Sequence, residues 1–152
     1  MEINYKEKLA DINAFIFDVD GVLTDGRLYF QADGIEIKAF HTQDGHGLKL
    51  LKRVGIHVAL ITGRDSPMVS QRAAALGITH VHQGCEDKLT TLRALCQRLD
   101  ITLEQVAYCG DDLPDLAPIK RSGVGITVPN APDYMHPHAD WITERLGGHG
   151  AV

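Results

Sequence analysis

The chain has 152 residues, of which 44% are hydrophobic, and a formal net charge of −5. That length and apolar content can bury a real core, which excludes a disordered chain. No apolar run approaches the ~20 residues that span a bilayer, and the acidic balance offers nothing to nucleic acid or an anionic membrane.

Met1-Glu2-Ile3-Asn4-Tyr5-Lys6 lacks the apolar stretch of a secretory signal. Cys85, Cys96 and Cys109 form no Cys-x-x-Cys pair and read as reduced thiols. The expectation is a cytoplasmic protein. Ala14-Phe15-Ile16-Phe17 is continuously apolar and predicts a buried strand ending at Asp18. Leu28 to Phe40 carries a hairpin signal, with Ala32-Asp33-Gly34 between the arms Leu28-Tyr29-Phe30 and Ile35-Glu36-Ile37. Asp44 is placed to cap a helix through Leu48-Lys49-Leu50-Leu51, stopped by Gly55. Val58-Ala59-Leu60-Ile61 predicts a second strand, ending at Thr62-Gly63. Ser66-Pro67 opens a helix that Gly77 follows.

Thr79-His80-Val81-His82 is a weaker strand candidate. Asp87 then opens a helix through Leu89, Leu92, Leu95, Cys96 and Leu99, and Thr102 with Gln105 forms a capping box. Val106-Ala107-Tyr108-Cys109 predicts a strand ending at Gly110-Asp111, and Val124-Gly125-Ile126-Thr127-Val128 another. Trp141-Ile142 is a last, weak candidate. Continuous apolarity marks strands covered on both faces. Their alternation with helices predicts a doubly wound parallel α/β sheet. The expected organisation is one domain over residues 1–152, with a hairpin insertion at about 26–40 and no cap domain.

In such folds ligands bind beyond the carboxyl ends of the strands. Asp18 and Asp20, Thr62, and Asp111 and Asp112 stand at three of those ends, with Lys88 opening a helix nearby in sequence. Like charges ~4 Å apart repel by about 4 kcal/mol at an effective dielectric of ~20, so gathered carboxylates need a cation. Oxygen ligands without Cys or His point to Mg2+, which also takes a phosphate oxygen as ligand. Lys88 supplies a second positive charge, and Thr62 a hydrogen bond to phosphate. The histidine pairs His80/His82 and His136-Pro137-His138, the latter read as loop, lack further ligands nearby and read as surface or rim residues.

Asp18-Val19-Asp20-Gly21-Val22-Leu23-Thr24-Asp25, Thr62-Gly63, Lys88 and Gly110-Asp111-Asp112-Leu113-Pro114-Asp115 resemble, in order and spacing, the four motifs of the haloacid dehalogenase superfamily of phosphatases. The resemblance implies that Asp18 is a nucleophile forming an aspartyl-phosphate. It implies that Asp20 is the general acid and then the base. Mg2+ is expected on Asp18, the backbone carbonyl of Asp20, and Asp111. Asp112 and Asp115 are expected behind these ligands, with Asp115 alternatively a surface acid of a helix. The chemistry needs Asp18 ionised and Asp20 protonated, so their environments must push the two apart.

Asp25-Gly26-Arg27-Leu28-Tyr29, the hairpin, Lys38-Ala39-Phe40, Asp44-Gly45-His46-Gly47 and Ile61-Thr62-Gly63-Arg64 resemble one branch of that superfamily. It acts on 3-deoxy-D-manno-octulosonate 8-phosphate, a sugar-acid phosphate on the route to lipopolysaccharide. The branch implies a capless homotetramer in which the hairpin and neighbouring subunits enclose the site. Gly63, Arg64 and Arg72 are the substrate-binding candidates, an arginine pairing with the sugar carboxylate. The rival branch takes nine-carbon, sialic-acid-type 9-phosphates and carries Glu and Lys where this chain has Arg64 and Ala75. The resemblance also implies a continuation past Gly147-Gly148-His149-Gly150-Ala151-Val152 into a C-terminal helix and tail, without which affinity or turnover is expected to change. A phospho-receiver domain would need its acceptor on the middle strand, where Thr62 stands. A silent scaffold would more often have lost Asp18 or Asp20.

Overall fold

The computed structural model describes residues 4–152, so Met1, Glu2 and Ile3 of the N-terminal reading lie outside it. Six strands form one parallel sheet. β1 (Ala14–Phe17) lies between β4 (His57–Ile61) and β6 (Val106–Cys109). Beyond them stand β5 (His80–His82) on one side, and β7 (Val124–Thr127) with β8 (Trp141–Ile142) on the other. The chain runs outward from β1 to β5, then returns to β6, so the strand order reverses beside β1. A crevice opens at the carboxyl ends of the strands at such a reversal.

The central strands are as apolar as their position requires. Ile16, Ile61 and Tyr108 are fully buried, because helices cover both faces. Those helices are α2 (Thr42–Arg53), α3 (Pro67–Ala75), α4 (Lys88–Leu99) and α5 (Leu113–Arg121). A short α1 (Tyr5–Lys8), not predicted, stacks the Tyr5 ring on Trp141 at 5.1 Å between centroids.

The helix starts correct several expectations. α2 is capped by His41, whose ring accepts from the Gln43 amide at 3.1 Å. Asp44 stands inside the first turn, buried, so it is not the cap. Ser66 occupies the cap position of α3, but its hydroxyl reaches Met68 Sδ at 3.8 Å instead of the helix amides. Asp87 does cap α4, accepting from Thr90 at 3.1 Å. Thr102 and Gln105 form their capping box around a 3-10 turn, Leu103–Gln105. His136–His138, read as a loop, is another such turn.

After β1 the hairpin appears as β2 (Tyr29–Phe30) and β3 (Glu36–Ile37), antiparallel and separate from the main sheet. Each paired arm is one residue shorter than predicted. Gly34 at the turn has φ +85°, a conformation that strains any residue with a Cβ.

Candidate active site

Asp18 extends β1 by one rung, its amide donating to the Cys109 carbonyl at 2.9 Å. The chain then coils tightly: the amides of Val22, Leu23 and Thr24 all reach the Val19 carbonyl. Gly21 sits in this coil at φ +88°, and a Cβ there would collide with the Asp111 carboxylate. Only glycine lets the two acid-bearing loops approach so closely. Asn130 ties the coil down from outside. Its Nδ2 donates to the Gly21 carbonyl at 3.0 Å, while its Oδ1 accepts from the Gly147 amide at 2.7 Å.

Asp111 follows β6, and Asp115 lies in the first turn of α5. Asp115 is buried, which overturns its reading as a surface acid. Its Oδ1 accepts from Lys88 Nζ at 2.8 Å and the Tyr108 hydroxyl at 2.7 Å; its Oδ2 accepts from the Asp111 amide at 3.0 Å. Lys88, first residue of α4 and also buried, places the same ammonium 3.0 Å from Asp18 Oδ1. The Val19 amide donates to that oxygen at 2.7 Å. Asp112 caps α5, accepting from the Leu113 amide at 2.8 Å and the Tyr134 hydroxyl at 2.6 Å.

Asp18, Asp111 and Asp115 each offer an oxygen within 4.8 Å of the others. Without a bound cation, burial, then Asp115, and after the opposing charge of Lys88 also Asp111, raise the Asp18 carboxyl well above the usual range. That is the reverse of what an ionised nucleophile needs, so its anion depends on a metal ion. Burial and then Asp115 push Asp111 up to about 6. Burial depresses the Lys88 ammonium, but the charges of Asp18 and Asp115 outweigh it and leave it raised. One ammonium therefore faces three carboxylates, and a divalent cation would balance the remainder. The donor set is all oxygen and hard, which fits Mg2+. Both oxygens of Asp115 are already engaged, so Asp18 and Asp111 are the acids free to hold the ion.

Asp20 stands outside that cluster. Its Oδ1 lies 2.5 Å from Lys38 Nζ, Lys38 lies 3.1 Å from Glu36 Oε1, and Glu36 Oε2 accepts from Arg64 Nη2 at 2.8 Å. Sequence reasoning singled out neither Glu36 nor Lys38 as a site residue. The available signal was a pair of opposite charges two apart, at and just past the second hairpin arm.

Thr62 is buried at the end of β4, its amide bonded to the His82 carbonyl at 2.9 Å, with Gly63 and Arg64 next. Every predicted site residue except Arg72 lines one open cleft of about 440 Å³. Arg72 instead lies over the Phe40 ring, 5.9 Å from its centroid, beside a separate small cavity with Asp44. The histidines gather no metal-sized cluster among the described residues. His82 meets Arg98 at 3.2 Å, and His80 meets the edge of His57.

A parallel sheet with a lysine-held acid on its middle strand, a second acid two residues on and an acidic loop on the neighbouring strand defines a haloacid dehalogenase-like hydrolase. Residues 81–150 match the model of a family described as haloacid dehalogenase-like hydrolase. The 3-deoxy-D-manno-octulosonate 8-phosphate phosphatase of Escherichia coli (strain K12) is 43% identical over 145 residues, 95% of this chain and 77% of that one.

Two solved structures lie close. The phosphatase of that name from Moraxella catarrhalis, crystallised with magnesium, phosphate and 3-deoxy-D-manno-octulosonate, has TM-score 0.94 and 49% identity, covering 96% of this chain and 84% of its own. The cobalt-bound enzyme from Haemophilus influenzae has TM-score 0.91 and 43% identity, covering 95% and 84%. The chain belongs to the family of 3-deoxy-D-manno-octulosonate 8-phosphate phosphatases.

Proposed function

We propose that this chain hydrolyses 3-deoxy-D-manno-octulosonate 8-phosphate to the free sugar acid and inorganic phosphate, as a step toward lipopolysaccharide. The observation that carries the reading is the division of labour among the acids. Asp18 is pinned by Lys88 within the cluster, while Asp20 is held apart from it by Lys38. Asp18 is the nucleophile, with one oxygen fixed by Lys88 and the Val19 amide. Asp20 protonates the departing sugar oxygen, then takes a proton from the water that releases phosphate. Lys88 keeps nucleophile and phosphate together against their shared charge, and the Thr62 hydroxyl donates to a phosphate oxygen. Mg2+, held by Asp18, Asp111 and the Asp20 carbonyl, supplies neutralising charge for the acids and the phosphate when bound.

Arg64 is the substrate-carboxylate partner in this reading. It lines the cleft outside the acid centre and gives Glu36 only its Nη2, whereas the single ammonium of Lys88 is shared by Asp18 and Asp115. Gly63 leaves room beside it. Asp112 holds the α5 end of the acidic loop, and Asp115 sets the position of Lys88. Arg72, lying elsewhere, is not proposed as a contact within this subunit. The domain is proposed to work as one unit in the cytoplasm, as a homotetramer. Support for assembly comes from the hairpin, where Leu28, Phe30, Ile35 and Ile37 expose about half their surface.

The test is phosphate release with Mg2+ from the eight-carbon acid phosphate, a nine-carbon acid phosphate and glucose 6-phosphate, for wild type and Arg64→Ala. The eight-carbon acid phosphate is expected to lead, with Arg64→Ala erasing its advantage over glucose 6-phosphate. Preference for the nine-carbon acid would overturn the substrate assignment. Light scattering tests the tetramer.

A further inference from the structure

We propose that Lys38 is a positioning residue for Asp20, set in place by Glu36. This rests on the reading of Asp20 as the proton carrier. A lysine on an exposed two-stranded hairpin ordinarily keeps its ammonium in water. Here the neighbours Phe30, Ile35 and Ile37 are exposed, yet the Lys38 side chain is only 3% exposed. Its ammonium is spent on two carboxylates, Asp20 Oδ1 at 2.5 Å and Glu36 Oε1 at 3.1 Å. Lys38 stands just past the end of β3, two residues after Glu36, and Arg64 holds the other Glu36 oxygen at 2.8 Å. The hairpin is thereby fastened through charge to the loops after β1 and β4.

With Oδ1 of Asp20 engaged by Lys38, Oδ2 is the oxygen left to carry the proton. In the first half-reaction the Asp18 oxygen–phosphorus bond forms as the ester phosphorus–oxygen bond breaks. The departing oxygen keeps the electron pair and takes the Asp20 proton. In the second, water attacks phosphorus, its proton passes to Asp20, and the bond to Asp18 breaks. Both transfers need the same oxygen to face the reacting centre. A misplacement of about 1 Å costs on the order of 10²-fold in such steps. Lys38 touches neither substrate nor phosphorus in this scheme and acts only through Asp20.

The experiment is a double-mutant cycle with Lys38→Met, Asp20→Asn and the double variant. Single-turnover rates and KM are read on the sugar-acid phosphate at saturating Mg2+. Lys38→Met is expected to slow turnover ~10- to 100-fold with KM within ~3-fold of wild type. The double variant is expected to be no more than ~3-fold slower than Asp20→Asn. Glu36→Gln is expected to shift the rate the same way by less, and Lys38→Arg to recover most of it, which covers a misfolded Lys38→Met.

Wild-type turnover in Lys38→Met, or losses that multiply in the double variant, would overturn the proposal. So would a loss confined to KM. If Asp20→Asn itself turns over like wild type, the proton-carrier reading fails first. If Asp20→Asn is slow and Lys38→Met is not, only the positioning role fails.

Discussion

Replacing Asp111 by Asn separates metal binding from folding in a way the structure allows to be worked out. A carboxyl that ordinarily titrates near ~3.9 is carried to about 6 by burial and the neighbouring Asp115. That ~2-unit shift corresponds to ~3 kcal/mol at about 1.4 kcal/mol per unit. The folded chain holds this proton to higher pH than the unfolded one. Metal-free stability from this group is therefore intact below ~pH 4 and falls as pH rises through about 6.

Asp18, raised further by burial and Asp115, carries the loss to higher pH. The carboxyls that are lowered, Asp25, Glu36, Asp87 and Glu104, finish titrating below the ordinary range and do not interfere. His80 and His82, lowered chiefly by burial, add stability as pH rises in both proteins alike, so the test is the difference between the two profiles. A bound ion reverses the loss: at a free concentration of ~100 times Kd it contributes ~2.7 kcal/mol, nearly the same amount. Urea midpoints at pH 5, 6 and 7.5, in chelator or in excess MgCl2, measure this directly. Wild type should weaken with pH in chelator and recover with Mg2+, most at pH 7.5. Asp111→Asn should weaken less with pH and gain little from Mg2+. Parallel pH profiles for the two proteins, or equal Mg2+ rescue, would refute the electrostatic account.

Two further substitutions probe the frame around the acids. Gly21→Ala forces a Cβ into a left-handed backbone and against the Asp111 carboxylate. It should cost ~1–2 kcal/mol in urea and, by displacing Asp111, weaken Mg2+ binding measured by calorimetry; wild-type affinity would contradict the close approach. Asn130→Ala removes hydrogen bonds to Gly21 and Gly147 and leaves their backbone groups unpaired. A loss of ~1–3 kcal/mol is expected, and a loss below ~0.5 kcal/mol would mean the clasp is idle.

The sequence made the strands and their ends readable because parallel strands buried on both faces are continuously apolar. Asp18, Thr62 and Asp111 follow directly from where those runs stop. Other features depended on distance, which residue spacing does not carry. Asp115 looks like any first-turn helix acid, and its burial goes with partners distant in sequence or on another element, Lys88 of α4 and Tyr108 of β6. Lys38 entered the sequence reading only within the segment that carries the branch resemblance, since nothing local says that the hairpin folds back toward Asp20. Asp44 had the right residue type for a cap, but the cap lies three residues earlier, at His41. Arg72 sits on a well-formed helix whose rotation turns it toward Phe40 instead of the cleft.

Asp18 is proposed to be the atom donor to phosphorus. Single-turnover reaction with the eight-carbon sugar-acid phosphate and Mg2+, stopped in acid within the transient and reduced with borohydride, converts a phosphorylated aspartate to homoserine. Peptide mass spectrometry then reads the position. Conversion at Asp18, rising and decaying with phosphate release and absent in Asp18→Asn, is the predicted result. Phosphate released in a full turnover with no converted aspartate at any time, or with conversion at another acid, would contradict it.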